Sequence, residues 1–334
     1  MKRINLFLRS ATVLLLAATL VFSFAGCLGE PVVPEITVVA ENRLFGDLLY
    51  TAYSDGTAVL TGYNGVLTEL RLPDEVDGLT LVGIADQAFA NNTTLTTLMT
   101  GETLSYIGNE TFYQCTALET VEIGSNVTRI GYYALEGTPW MNAQEGPFVV
   151  AGDGILIKYK GEEAEVIIPE GIKVISDAFF QNSSLRTVTL GPDVERLDDY
   201  AFAYCGELVE VNFNEGLKEI GPYAFAFCEA MRMIRLPSTV TTIGDSAFMF
   251  CSMLRRAELG EGVETIGPNA FNSCSHMTVI SLGCALRSVG SHAFFECFLL
   301  HGVTYDGKMD NWTAIDFGAG NDYLTDAALR CLGN

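Results

Sequence analysis

"DDYAFAYCGELVEVNF", residues 198–213, places a cysteine three positions after a phenylalanine and a leucine three positions further on. The pattern returns as "GPYAFAFCEAMRMIRL" (221–236), "GDSAFMFCSMLRRAEL" (244–259), "GPNAFNSCSHMTVISL" (267–282) and "GSHAFFECFLLHGVTY" (290–305). Either a reactive device is copied five times or one structural position is. Aligned on the A-F pair, the series is Phe89, Phe112, Leu135, Phe179, Phe202, Phe225, Phe248, Phe271 and Phe294, with spacings of 23, 23, 44, 23, 23, 23, 23 and 23. A fixed period held this long marks a solenoid, in which each unit buries its apolar side only against its neighbours. The 44-residue step is two periods less two residues, so one modified long unit occupies 135–178.

Each unit holds two extended segments. The first is "LETVEI" (118–123), "LRTVTL" (185–190), "LVEVNF" (208–213) or "MRMIRL" (231–236), whose last positions alternate as a short half-buried strand does. The second is "VTRIG" (127–131), "LKEIG" (217–221), "VTTIG" (240–244) or "VETIG" (263–267), ending at a glycine suited to a tight corner. Pro222 and Pro268 follow that glycine, where a fixed φ suits the first residue of a short helical turn. One unit is then one 23-residue coil of a mainly β solenoid with short helical turns, its strands stacked about 4.8 Å apart.

Stacking also places Cys205, Cys228, Cys251, Cys274 and Cys297 above one another at an inward position, where cysteine serves as a small hydrophobe. Asn92, Thr138 and Asn182 hold that place in other units, which points to size rather than thiol chemistry. Neighbouring coils bring Cα atoms within disulfide range, so pairing stays open beside free thiols, although parallel inward Cβ vectors suit bridges poorly. A metal ladder would need C-x-x-C or H-x-x-x-H spacing, which is absent.

Lys2, Arg3 and Arg9 precede the apolar run "ATVLLLAATLVFSFAG" at 11–26, the pattern of a cleaved signal peptide over 1–26. "FAGC" resembles the lipobox of bacterial lipoproteins and makes Cys27 the expected site of lipid attachment, with 27–44 a linker from that anchor. Removing residues 1–26 takes away three of 19 basic groups and none of the 41 acidic ones, so the remainder carries 16 − 41 = −25. That field makes nucleic acid and anionic lipid surfaces poor partners.

The unit "L-x-x-V-x-L-x-x-x-V-x-x-I-G-x-x-A-F-x-x-C" resembles the BspA-type leucine-rich repeat of bacterial surface proteins. Residues 50–89 look like that family's usual N-terminal lead-in, here bounded as a β cap at 45–81 before a solenoid at 82–302. "LEGTPWMNAQ" and "GDGILIKYKG", within 135–178, look like its hairpin-bearing long repeat, and 303–334 like its C-terminal cap, with Trp312 and Ile315 as an apolar plug. The resemblance implies a curved right-handed solenoid displayed outside the cell for adhesion-type protein interaction, with an unidentified extracellular protein or glycan as ligand and the membrane reached only through the lipid anchor.

Chemistry-bearing residues are sparse. His276, His292 and His301 sit in no hydrolase or metal motif, and no cofactor fingerprint is present. Asp198–Asp199 and "GDG" at 152–154 lack a calcium-loop arrangement and read as solvated turns. On the exposed strand positions only one region departs from the acidic background. Arg232, Met233, Arg235, Arg255, Arg256 and Glu258 cluster on two adjacent coils, a composition favoured at interface centres for an acidic partner, unless the arginines merely neutralise local carboxylates. The expected function is non-catalytic binding. A hydrolase without a visible motif and a purely structural envelope protein are the alternatives.

Overall fold

The computed structural model describes residues 36–333. The signal peptide 1–26, the lipidation site Cys27 and the first part of the 27–44 linker lie outside the described residues. Three antiparallel strands, Val38–Phe45, Leu48–Tyr53 and Thr57–Tyr63, open the fold, and the chain then turns parallel at Leu79–Ile84. Each later coil adds one two-residue rung, in two ladders that run from Leu79–Ile84 to Arg129–Ile130 and from Ile155–Tyr159 to Asp316–Phe317. It adds another rung of three or four residues, in three ladders that run from Glu69–Arg71 to Thr120–Glu122, from Glu165–Ile167 to Glu210–Asn212 and from Met233–Arg235 to Ala328–Cys331, called the three-residue ladder below. Register follows the period: Thr187 faces Glu210 and Met233 faces Arg256. The A-F arcs between the ladders are runs of turns; among the described residues short helices occupy Pro139–Ala143, Met309–Thr313 and Asp322–Thr325. In the last stretch Trp312 and Ile315 are buried, with Trp312 between the rings of Tyr305 and Phe317.

The core is a file of rings. Phe202, Phe225, Phe248, Phe271 and Phe294 are fully buried and stack at 5.2 Å with nearly parallel planes. Beside them the cysteine position does more than fit a small side chain. Each thiol donates to the carbonyl of the phenylalanine one coil back: Cys205 to Phe179 (3.1 Å), Cys228 to Phe202 (3.2 Å), Cys251 to Phe225 (3.2 Å) and Cys297 to Phe271 (3.3 Å). This explains the exceptions. Asn92 and Asn182 belong to coils preceded by a hairpin strand rather than by an A-F arc, and their Oδ1 atoms accept locally, from Leu95 and Leu185 N–H at 2.7 and 3.0 Å. Thr138 instead caps the helix at Pro139–Ala143.

The corner glycines have a different cause from the conformational one expected. Gly108, Gly221, Gly244 and Gly267 do not take positive φ. A Cβ at Gly244 would stand 2.6 Å from Gly221 C and Pro222 N, so the corner is where successive backbones come too close for any side chain.

The long unit holds a second beginning. Strands Phe148–Ala151 and Ile155–Tyr159 form an antiparallel hairpin like that of Leu48–Tyr53 and Thr57–Tyr63. The likeness extends to sequence at a constant offset of 96: Leu60 and Leu156, Tyr63 and Tyr159, Leu72 and Ile168, Pro73 and Pro169. Each hairpin tyrosine starts a ring file, Tyr63 on Phe89 at 5.4 Å and Tyr159 on Phe179 at 4.8 Å. The "GDG" at 152–154 is this hairpin's turn, with positive φ at Gly152 and Gly154, and Asp153 is tied to Lys173 at 2.6 Å. Two hydrophobic clusters result. Ile155 and Ile157 belong to the first and Leu156 and Tyr159 to the second, so the strand Ile155–Tyr159 is buried on both faces.

Where the two clusters abut, polar groups tie them. Ser176 Oγ donates to Ile130 O at 2.7 Å, and Arg129 lies 3.6 Å from Asp198, which also pairs with Arg196 at 2.6 Å. Asp198 is therefore buried and paired, not part of a solvated turn. The coil at 174–185 lacks the residue that would offer Tyr133 N–H a backbone acceptor, and the Asp177 carboxylate takes its place at 2.9 Å. Burial pushes Asp177 up to about 6, from 3.8. The folded state therefore binds the proton more tightly, and this group's contribution to stability falls as pH rises from about 4 to about 6. Asp177→Asn keeps an acceptor without the charge. Its melting temperature is expected to match the native protein near pH 4 and to exceed it near pH 7, by roughly 2–3 kcal/mol in unfolding free energy. A pH series of thermal melts checks this, and parallel curves would contradict it.

Candidate functional site

The three-residue ladder presents every second side chain outward, and the sequence-predicted cluster lies there on adjacent rungs. Met233 is 50% exposed, and Arg232, Arg235, Arg255 and Arg256 are all exposed. The structure divides the arginines. Arg235 Nε and Arg256 Nε both reach Glu258, at 2.5 and 2.8 Å. The hydrogen bond from Arg235 is the main reason that the Glu258 carboxyl is held below its usual range. Glu258 is therefore a clamp between two coils, whereas Arg232 and Arg255 have no carboxylate within 4.0 Å among the described residues. Two of the four arginines are neutralised locally and two are free.

The cluster also borders a feature not foreseen from the sequence. Between Glu210–Asn212 and Met233–Arg235 the three-residue ladder is interrupted, although the two-residue ladder runs through unbroken. Val209 N–H reaches Arg186 O at 2.8 Å and Arg255 N–H reaches Arg232 O at 2.9 Å, but no such bond joins Arg232 N–H to Val209 O. Phe213 stands where neighbouring coils hold Leu190, Leu236 and Leu259. Too large for that slot, it stays half-buried with its ring edge-on to Phe225 at 5.9 Å. An open depression of about 480 Å³ results, lined by Phe213, Glu215, Arg235, Pro237 and Glu261 among others. The signal was a phenylalanine at a leucine position; its effect on strand pairing depends on the adjoining coil.

The histidines form no catalytic arrangement. His276 Nδ1 lies 2.8 Å from Ser252 O, so that nitrogen must carry the proton and cannot serve as base toward Ser275 Oγ at 3.4 Å. His301 Nδ1 likewise meets Leu299 O at 2.9 Å, and the ring of His292 packs edge-on to Phe295.

Coil length, ring file and thiol position together carry a family signature. The sequence pattern described as the BspA type leucine rich repeat region matches residues 63–147, 158–209 and 196–317, in six copies. The chain belongs to the BspA-type leucine-rich repeat family. No curated protein matches this BspA-type chain. Among solved structures, a leucine rich cell surface protein from Faecalibacterium prausnitzii A2-165 is 21% identical, covering 82% of this chain and 97% of its own, with a TM-score of 0.32. A leucine rich repeat protein of T. pallidum is 20% identical, covering 78% and 91%, at a TM-score of 0.31. The pneumococcal vaccine antigen PcpA is 12% identical, covering 85% and 99%, at a TM-score of 0.42.

Proposed function

We propose that this BspA-type repeat protein is a non-catalytic interaction module held outside the cell by a lipid on Cys27. Its strand face around Met233 binds an acidic patch on an extracellular protein or glycan. The observation that carries this reading is the exposed Met233, opposite Arg256 on the next rung, on a face that also carries the exposed Arg232 and Arg255 with no carboxylate within 4.0 Å among the described residues, in a chain of formal charge −22. A half-exposed apolar side chain on a strand face that carries free cations suits a carboxylate-bearing partner. Regular strands hold the side chains in place, so little ordering is lost on binding.

The test is a binding screen against extracellular proteins and glycans, run beside Arg232→Glu/Arg255→Glu, which reverses the free charges and leaves the Glu258 clamp whole. A saturable partner whose affinity falls at least about tenfold in the variant is expected. A partner bound equally by both proteins would remove the site, and turnover of any ligand would remove the non-catalytic reading.

A further inference from the structure

A second exposed surface lies on the A-F arcs, away from the three-residue strands. Residues two before and two after the buried phenylalanine repeatedly take positive φ, as at Gln87 and Asn91, Asn269 and Ser273, and His292 and Glu296. That conformation costs an ordinary L-residue about 1 kcal/mol or more and suits asparagine best after glycine. In the middle of the solenoid the same places hold Tyr200 and Tyr204, Tyr223 and Phe227, and then Phe250, all at positive φ. Aromatic rings are poor choices for such backbone, and the coils of Phe89, Phe271 and Phe294 fold without phenylalanine or tyrosine at these places.

The rings form two files. Tyr204 stacks on Phe227 at 4.5 Å and Phe227 on Phe250 at 4.8 Å, while Tyr200 stacks on Tyr223 at 5.0 Å. Phe180 joins them, edge-on to Tyr200 at 6.0 Å and to Tyr204 at 5.6 Å. Tyr204 and Phe250 remain 45% and 40% exposed. Residues 198–207, 221–230 and 244–253 contain five carboxylates and no lysine or arginine. Asp198 is buried and paired with Arg129 and Arg196, and Glu207 meets Arg186 at 3.3 Å. Glu229 and Asp245 are exposed and take part in no ion pair among the described residues, so they supply the acidic frame. Rings stacked face to face spend their faces on one another and offer edges, which pack aliphatic side chains, while the carboxylates around them select positive charge.

We propose that the stacked rings of Tyr204, Phe227 and Phe250, with Tyr200 and Tyr223 beside them, are a second docking surface for a cationic protein segment in which lysine or arginine alternates with aliphatic residues. This surface is independent of the arginine cluster and takes a ligand of opposite charge.

Calorimetric titration with a synthetic peptide of alternating leucine and lysine, at about 0.15 M salt, tests it. Controls replace leucine by serine in one peptide and lysine by glutamate in the other. Tyr204→Asn/Phe227→Asn/Phe250→Asn places at all three positions a residue that positive φ favours and that already stands at Asn91. Saturable binding of the leucine–lysine peptide is expected, at least about tenfold weaker in this variant and undetectable with the glutamate peptide. Arg232→Glu/Arg255→Glu should bind it as the native protein does. No saturable binding by the native protein overturns the proposal, as does equal binding by the asparagine variant or equal binding of the serine peptide. If the triple variant melts earlier, Phe250→Asn alone, at the end of the file, decides by the same readings.

Discussion

Phe248→Ala is expected to lower the unfolding free energy by about 3–5 kcal/mol. The ring is fully buried between Phe225 and Phe271, each 5.2 Å away, so its removal leaves a cavity that neither neighbour can fill without leaving its own stack. In a solenoid each coil is stabilised only by its two neighbours, and a weak interface in mid-stack also weakens the coupling between the parts on either side. The denaturation slope of Phe248→Ala should therefore fall together with its midpoint. Phe248→Leu copies Leu135, which is buried at the equivalent place, and should lose less than half as much. Urea titrations of the two variants check both statements, and a Phe248→Ala midpoint within error of the native one would contradict them.

The coil was legible because one spacing repeats. Both strand segments, the inward phenylalanine and cysteine positions and the outward arginines follow from that period and from alternation. What escaped the sequence depends on contacts one coil or more away. The thiol position was read as a matter of size, but the acceptor for Cys205 is a carbonyl 26 residues back, which no local pattern encodes. The corner glycines were read as conformational, and the real demand is the approach of the preceding coil. Asp198 was read as part of a solvated turn, yet Arg129, across the boundary between the two hydrophobic clusters, helps to bury and pair it. The family resemblance implied a hairpin somewhere within 135–178, but its likeness to the opening hairpin lies outside the 23-residue alignment and emerges only when the two ring files are seen to begin alike. At the candidate site the arginines were visible in sequence. Their division into two clamped and two free, and the interrupted ladder beside them, depend on Glu258 and Phe213 as neighbouring coils place them.

Native-state thiol labelling should show the largest contrast of all, and it reads directly on whether the repeated cysteine is a structural position or a reactive one. Cys115, Cys205, Cys228, Cys251, Cys274 and Cys297 are buried, whereas Cys284 is exposed and Cys331 half-buried. Burial pushes the thiols of Cys205, Cys251 and Cys297 up to about 12, so almost no thiolate is present at neutral pH. Each also donates its proton to a phenylalanine carbonyl and is released only when coils separate. Opening a packed coil costs several kcal/mol, and about 4 kcal/mol already slows labelling about a thousandfold. The decisive measurement is alkylation of the native reduced protein followed by peptide mass spectrometry. Rapid modification of Cys284 and Cys331, with the six ladder thiols protected at least about a thousandfold until denaturant is added, is the result that a stack of hydrogen-bonded coils predicts. Ladder thiols that label as fast as Cys284, or that are found already paired as disulfides, would contradict it.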